Sequence, residues 1–146
     1  MEGMPIPGLR SPHEKVGTLV YFGRMLDKIR LHAAGQLPED YIDNLGDGFD
    51  KSCVQLFGIA YESVVARVKE GGSDTEILVW CFEKGRPLVE QDLYVWNEYM
   101  RKRGWNDSGS QRLAERKAQG GFSARDDIQT FFDYIDADEG QPAASH

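Results

Sequence analysis

The chain has 146 residues, of which 40% are apolar and 28% charged, and its net charge is −7. That length buries enough surface for a self-sufficient core, so no metal or disulfide framework is needed to hold it together. The acidic balance argues against nucleic acid and anionic membrane as partners.

The charge is unevenly spread. Residues 1–35 carry five Lys/Arg against three Asp/Glu, and the remainder carries twelve against twenty-one. A basic leading segment on an acidic body suits a small anion, or it suits two ends of a fold that complement each other. Residues 1–20 hold Pro5, Pro7 and Pro12 with Gly3, Gly8 and Gly17. Proline removes backbone donors and glycine adds freedom, so an irregular arm laid over the body is expected. The opening "MEGMPIPGLR" has no basic segment followed by an apolar one, so no signal peptide is expected. No apolar run approaches the length of a membrane span.

A helix follows in "GRMLDKIRLHAAG", Gly23 to Gly35. At about 100° per residue, Phe22, Leu26, Ile29 and Ala33 share one stripe, with Met25 and His32 at its edge. Gly35 stands where a left-handed residue closes such a helix. Leu31 falls about 180° from Phe22, among Arg24, Asp27, Lys28 and Arg30. A leucine on the charged side predicts a helix covered on both sides. Gln36 to Gly48 reads as a loop, in which Asp47 caps a helix from Phe49 to Phe57 that Gly58 ends. A further helix spans about 60–70, with Val64, Val65 and Val68 apolar, and Gly71-Gly72 stops it.

"SDTE" places Ser73 and Glu76 at capping-box spacing and opens a helix to Lys84. Pro87 forces an extended turn at Arg86. The next helix, about 90–103, has Leu93, Trp96 and Met100 on one stripe and Val95 and Tyr99 beside it. Asp107 or Ser108 caps a polar helix over 110–119. "SARD", Ser123 to Asp126, reads as a second capping box opening a helix to about Ile135. No alternating β-branched run suggests a strand. The expectation is an all-α, compact, single-domain array of about six or seven short helices. An irregular proline-rich arm (1–20) precedes the helical domain (21–139), and a flexible tail (140–146) follows it. "EILVW", "DLYVW" and "DIQTF" echo one another as acid, aliphatic, two residues, aromatic; shared helix-start chemistry explains them.

Few residues suggest chemistry. Cys53 and Cys81 lie among apolar neighbours, as buried free thiols of a reducing cytoplasm do. His13, His32 and His146 are scattered and fit no zinc spacing, so no metal or cofactor is expected. "DNLGDGFD" lacks the order of a calcium loop. There is no nucleophile elbow, phosphate loop or dinucleotide fingerprint. The basic run "RKRGW" is what a helix C-terminus favours, and it does not make a nucleic-acid site.

The candidate site is a polar cluster on the helix after the arm. Asp27 and Arg30 are three apart and can pair, and a buried charge must be paired. Arg24, Arg30 and Arg10 are expected to ring Asp27, with His32 and Tyr41 at the margin. The cluster is then either an ion network docking the arm, or a set of surplus guanidinium groups that binds a carboxylate or phosphate.

"LRSP" (Leu9 to Pro12), Gly17, "RMLDKIR", Ala34-Gly35, "FGI", "SDTEILVW" and "DDIQTFFDYIDADE" together resemble a bacterial family, the domain of unknown function numbered 5069. The resemblance covers about residues 8–139. It supports these boundaries and implies no activity, ligand or catalytic residue; it implies a proline where this chain has Gly23. The functional expectation is a cytoplasmic, non-enzymatic module that binds a protein or a small anion. The alternative is an enzyme or receptor for a small anionic metabolite built on Arg24, Asp27 and Arg30.

Overall fold

The computed structural model describes residues 4–142, and the fold is organised around its first helix. In chain order the described elements are β1 (Lys15–Val16), β2 (Leu19–Val20), α1 (Phe22–Ala33), α2 (Glu39–Ile42), α3 (Phe49–Phe57), α4 (Tyr61–Lys69), α5 (Asp74–Lys84), α6 (Glu90–Lys102), α7 (Ser110–Gln119) and α8 (Phe131–Asp138). The protein is predominantly α-helical, as its periodicity predicts.

Nine of the twelve residues of α1 are buried. Phe22, Met25, Leu26 and Ile29 face the main core, to which Phe57, Val64, Ile77 and Met100 come from α3, α4, α5 and α6. Each such side chain contributes roughly 1.5–3 kcal/mol by leaving water. Leu31 points the other way and joins Leu9 and Leu37, with Ile6, Tyr41 and Leu45 around them. The leucine among charges thus has a core of its own, and α1 is covered on both sides. Its end is closed as expected: the Gly35 N–H donates to His32 O (3.0 Å) and the Gln36 N–H to Leu31 O (2.8 Å), with Gly35 at φ 69°.

Residues 15–20 depart from the strand-free expectation. Lys15 pairs with Val20 and Val16 with Leu19 in an antiparallel hairpin. Two-residue strands leave no room for an alternating pattern, so periodicity does not reveal them. Gly17 and Thr18 both have positive φ, 53° and 67°, which matches the twist of a two-residue hairpin. α6 holds the hairpin in place. The Val20 N–H donates to Asn97 Oδ1 (3.0 Å), Asn97 Nδ2 donates to Thr18 O (2.6 Å) and Trp96 Nε1 donates to Val20 O (3.0 Å).

The helix starts repeat this mixture. Ser73 and Glu76 form the expected box: Ser73 Oγ accepts from the Glu76 N–H (3.2 Å), and Glu76 Oε1 from the Ser73 N–H (3.1 Å). The second box lies elsewhere. Residues 123–130 are turns, anchored by buried Phe122 and Ile128 and tied by Lys117 Nζ to the carbonyls of Arg125 (2.7 Å) and Ile128 (3.0 Å). Helix resumes at Phe131, where Thr130 and Asp133 cap each other at 3.1 and 3.2 Å. Two boxes stood seven residues apart, and the later one places Phe132 and Asp136 on one buried side. The third echo motif, at Asp127, therefore precedes its helix.

Three smaller corrections follow the same logic. The loop after Gly35 contains the single turn α2. Asp47 offers α3 only its backbone carbonyl, to the Asp50 N–H (3.1 Å), and Gly48 is the cap residue. Gly109 caps α7, while the Asp107 carboxylate accepts from Gly104 (2.9 Å) and Gly109 (2.8 Å) and ties the loop before it. Eight helices, rather than six or seven, are thus present among the described residues. Gly3 of the arm and residues 143–146 of the tail, His146 included, lie outside those residues.

Candidate functional site

The arm brings Arg10 onto α1. Its guanidinium donates from Nε to Asp27 Oδ2 (2.8 Å), from Nη2 to Asp27 Oδ1 (2.9 Å) and from Nη1 to Asp74 Oδ2 (2.8 Å). Its own backbone N–H also donates to Asp27 Oδ2 (3.0 Å). The approach is close at Gly23. Arg10 Nη2 reaches Gly23 O at 3.1 Å, and a Cβ there would sit 2.8 Å from Arg10 Cζ. Arg30, one turn beyond Asp27, donates to Asp74 Oδ1 (2.7 Å) and stays 3.8 Å from Asp27. Asp74 opens α5, so the network joins the arm, α1 and α5. Burial alone would raise the Asp74 carboxyl, but hydrogen bonds from Arg10 and Arg30 bring it below its ordinary value. Hydrogen bonding to Asp27 likewise raises the Arg10 guanidinium above its ordinary value.

Arg24 is not part of that ring, and this corrects the expectation. It turns to the far end of the chain. Nη1 and Nη2 grip Glu139 Oε1 (2.7 Å) and Oε2 (2.6 Å) as a buried two-pronged pair. Nη1 also donates to the carbonyl of Arg10 (3.2 Å), and Tyr41 Oη donates to Glu139 Oε2 (2.8 Å). Beside them Ser11 Oγ donates to Asp136 Oδ1 (2.7 Å), and His13 Nε2 lies 3.7 Å from Asp136 Oδ2. Burial pushes the Asp136 carboxyl up to about 6. Burial and the Glu139 charge raise the Tyr41 hydroxyl.

A third polar group is absent from the sequence reading. Lys28, on α1, reaches Asp50 Oδ2 at 3.0 Å, and Asp50 is 0% exposed. Tyr21 Oη donates to Asp50 Oδ1 (2.6 Å), Lys28 Nζ to Tyr21 Oη (3.3 Å) and the Gly46 N–H to Asp50 Oδ2 (3.0 Å). Burial, then the Asp50 charge, holds the Tyr21 hydroxyl well above its usual value. Cys53 and Cys81 are buried free thiols, and burial raises both, Cys81 to about 12. Neither is an activated nucleophile.

Of the six candidates, Arg10, Asp27 and Arg30 meet directly; Arg24 and Tyr41 meet through Glu139. His32 stands exposed on the last turn of α1 and joins neither set. The missed members are Asp74, Glu139, Asp136 and Asp50. Only Asp74 carried a local signal, as the first residue inside the "SDTE" box. Among the described residues no group of three or more His, Cys, Asp and Glu is placed to hold a metal ion. Nor is any helix there long and apolar enough to cross a membrane.

No curated protein matches this chain. The model of the family described as Domain of unknown function (DUF5069) does match, over residues 6–141. That span takes in Arg10, the whole of α1 and Glu139 together, and the chain belongs to this family.

Proposed function

We propose that this domain works by binding another protein and carries out no chemistry of its own. One observation carries the reading. Four of the five Lys and Arg residues of the arm and α1 each face a carboxylate supplied by the fold, Arg10 with Asp27, Arg30 with Asp74, Arg24 with Glu139 and Lys28 with Asp50, while the fifth, Lys15, lies exposed on β1. A site for an anionic metabolite needs surplus positive charge, and within the Arg10, Arg24, Lys28 and Arg30 cluster each cation is matched. Structural ion networks perturb titration as functional sites do, so the shifted values of Asp136 and Asp74 do not point elsewhere. The apolar side chains Val79, Val89, Tyr94, Val95, Tyr99 and Trp105 are exposed on α5, on α6 and on the residues flanking α6. Exposed aromatics with mixed charge fit a protein surface. The free thiols fit a reducing compartment, which we take to be the cytoplasm.

Thermal-shift screening of the purified protein against anions, nucleotides and metabolites tests this, with Arg24→Ala in parallel. No compound should raise the wild-type melting temperature, and the variant should melt early because Glu139 loses its partner. A photo-crosslinker in place of Tyr94 should capture a protein in cells, while one at Glu115 should not. A compound that stabilises the wild type and not Arg24→Ala would overturn the reading in favour of a metabolite receptor.

A further inference from the structure

The outward side of α6 is built like an inward one. Trp96 and Met100 are buried, with Leu93 packed beside them. On the opposite side Gln91, Tyr94, Val95, Glu98, Tyr99 and Lys102 recur at the three-and-four spacing of a packing face. Tyr94, Val95 and Tyr99 are 62%, 54% and 48% exposed. The N-terminal end of this face bears Glu90 and a shallow open depression lined by Glu90, Gln91 and Tyr94. Its C-terminal end bears Lys102, largely exposed while touching Glu98 at 3.2 Å, with Arg101 beside it. The face therefore carries Glu90 at one end, Tyr94, Val95 and Tyr99 in the middle, and at the other end Arg101 and Lys102 sharing the single carboxylate of Glu98, which leaves a net positive charge there.

A parallel neighbour of the same kind would set like charges together. An antiparallel one sets the acidic end against the basic end and opposes the two helix dipoles favourably. A two-fold contact uses the same patch on both copies, and a face with opposed ends complements itself under that rotation. We infer that α6 is a self-association surface, on which a second copy of this chain docks α6 against α6 in antiparallel fashion. This rests on the protein-binding reading and names the partner. Centring the pair between Trp96 and Asn97 sets Gln91 opposite Lys102, Tyr94 opposite Tyr99 and Val95 opposite Glu98. Lys102 of the second copy then enters the depression beside Glu90. Thirteen helical residues span only about 19 Å, so the contact belongs with weak, reversible interfaces.

Two measurements on the full chain test this. In sedimentation over a concentration series, the mean mass should climb from that of one chain toward twice that value. Val95→Glu should hold it at one, with an unchanged circular dichroism spectrum because the site is exposed. Orientation is read by Gln91→Cys and Lys102→Cys, made separately and mildly oxidised alone or mixed. The mixture should form disulfide-linked dimers and each variant alone should not; native Cys53 and Cys81 are 0% exposed and do not compete. A single-chain mass at every concentration, or equal cross-linking by one variant alone, overturns the antiparallel pairing. A chain that stays monomeric while a crosslinker at Tyr94 captures one different protein sinks the self-association and spares the binding reading. An anion that stabilises the fold sinks the reading beneath both.

Discussion

α1 and α6 differ by one residue in length and have opposite relations to water. α1 carries Arg24, Asp27, Lys28, Arg30 and His32, and nine of its positions are buried. α6 presents Tyr94, Val95 and Tyr99 outward, and only Trp96 and Met100 are buried. Charge along a helix does not fix its exposure, and apolarity does not fix its burial. What decides is whether a partner of matching chemistry comes from elsewhere in the fold. For α1 every cation found one. On the outer side of α6, Tyr94, Val95 and Tyr99 stay about half exposed, with Arg103 over the Tyr99 ring at 6.0 Å.

The contrast breaks most severely at Asp50. Asp50→Ala leaves Lys28 buried without its carboxylate and should cost about 3–5 kcal/mol in urea unfolding. Adding Lys28→Met should recover part of that, since an apolar replacement needs no partner; a near-wild-type midpoint for Asp50→Ala alone would remove the buried pair from the account. Asp27→Ala should cost less, about 1–3 kcal/mol, because Arg10 is partly exposed and keeps Asp74.

Asp136 sharpens the contrast through pH. Its folded value of about 6 lies above the ordinary 3.8, chiefly through burial. The Ser11 hydrogen bond and the Arg24 charge oppose that rise, and Glu139 and Asp133 add to it. A raised carboxyl favours the fold fully below about pH 3.8, and that contribution is lost as pH climbs through about 6. Asp136→Asn should therefore melt above the wild type at pH 7, and the difference should shrink on acidification toward pH 4. A pH-independent difference would mean that Asp136 is ionised throughout. The smallest effects belong to the surface. Arg30→Ala should cost under about 1 kcal/mol, as partly exposed ion pairs do. Tyr94→Ser should stay within about 0.5 kcal/mol of wild type in the same assay, which would show that its ring serves no purpose inside the single chain.

Much of this was legible along the chain. Helix periods, the "SDTE" box and the Gly35 stop rest on neighbours a few residues apart, and they hold. Leu31 among charges correctly predicted a doubly covered helix. Asp27 and Arg30 were legible because three residues place them on one side. Their partners were not. Asp74 lies 44 residues from Arg30, and Glu139 lies 115 from Arg24. No local period encodes such a distance. Arg24 was misassigned to Asp27 for that reason: proximity on a helical wheel stood in for a partner nearly a whole chain away. The hairpin at 15–20 was missed for the opposite reason, being too short to have a period at all.

The Arg24–Glu139 pair also sets an order on synthesis. A ribosome delivers α1 early, with a guanidinium that the finished fold keeps away from water. Its carboxylate is made 115 residues later. Until then the native seat of Arg24 carries an unneutralised charge, so α1 cannot settle at full stability while α2 to α7 collect around it. Closure waits for α8 and the residue after it, which bring Asp136 to Ser11 and Glu139 to Arg24. A nascent chain stalled before Glu139 should therefore resist proteolysis far less than one extended past it, although every core residue of α1, α3, α4, α5 and α6 is already in place.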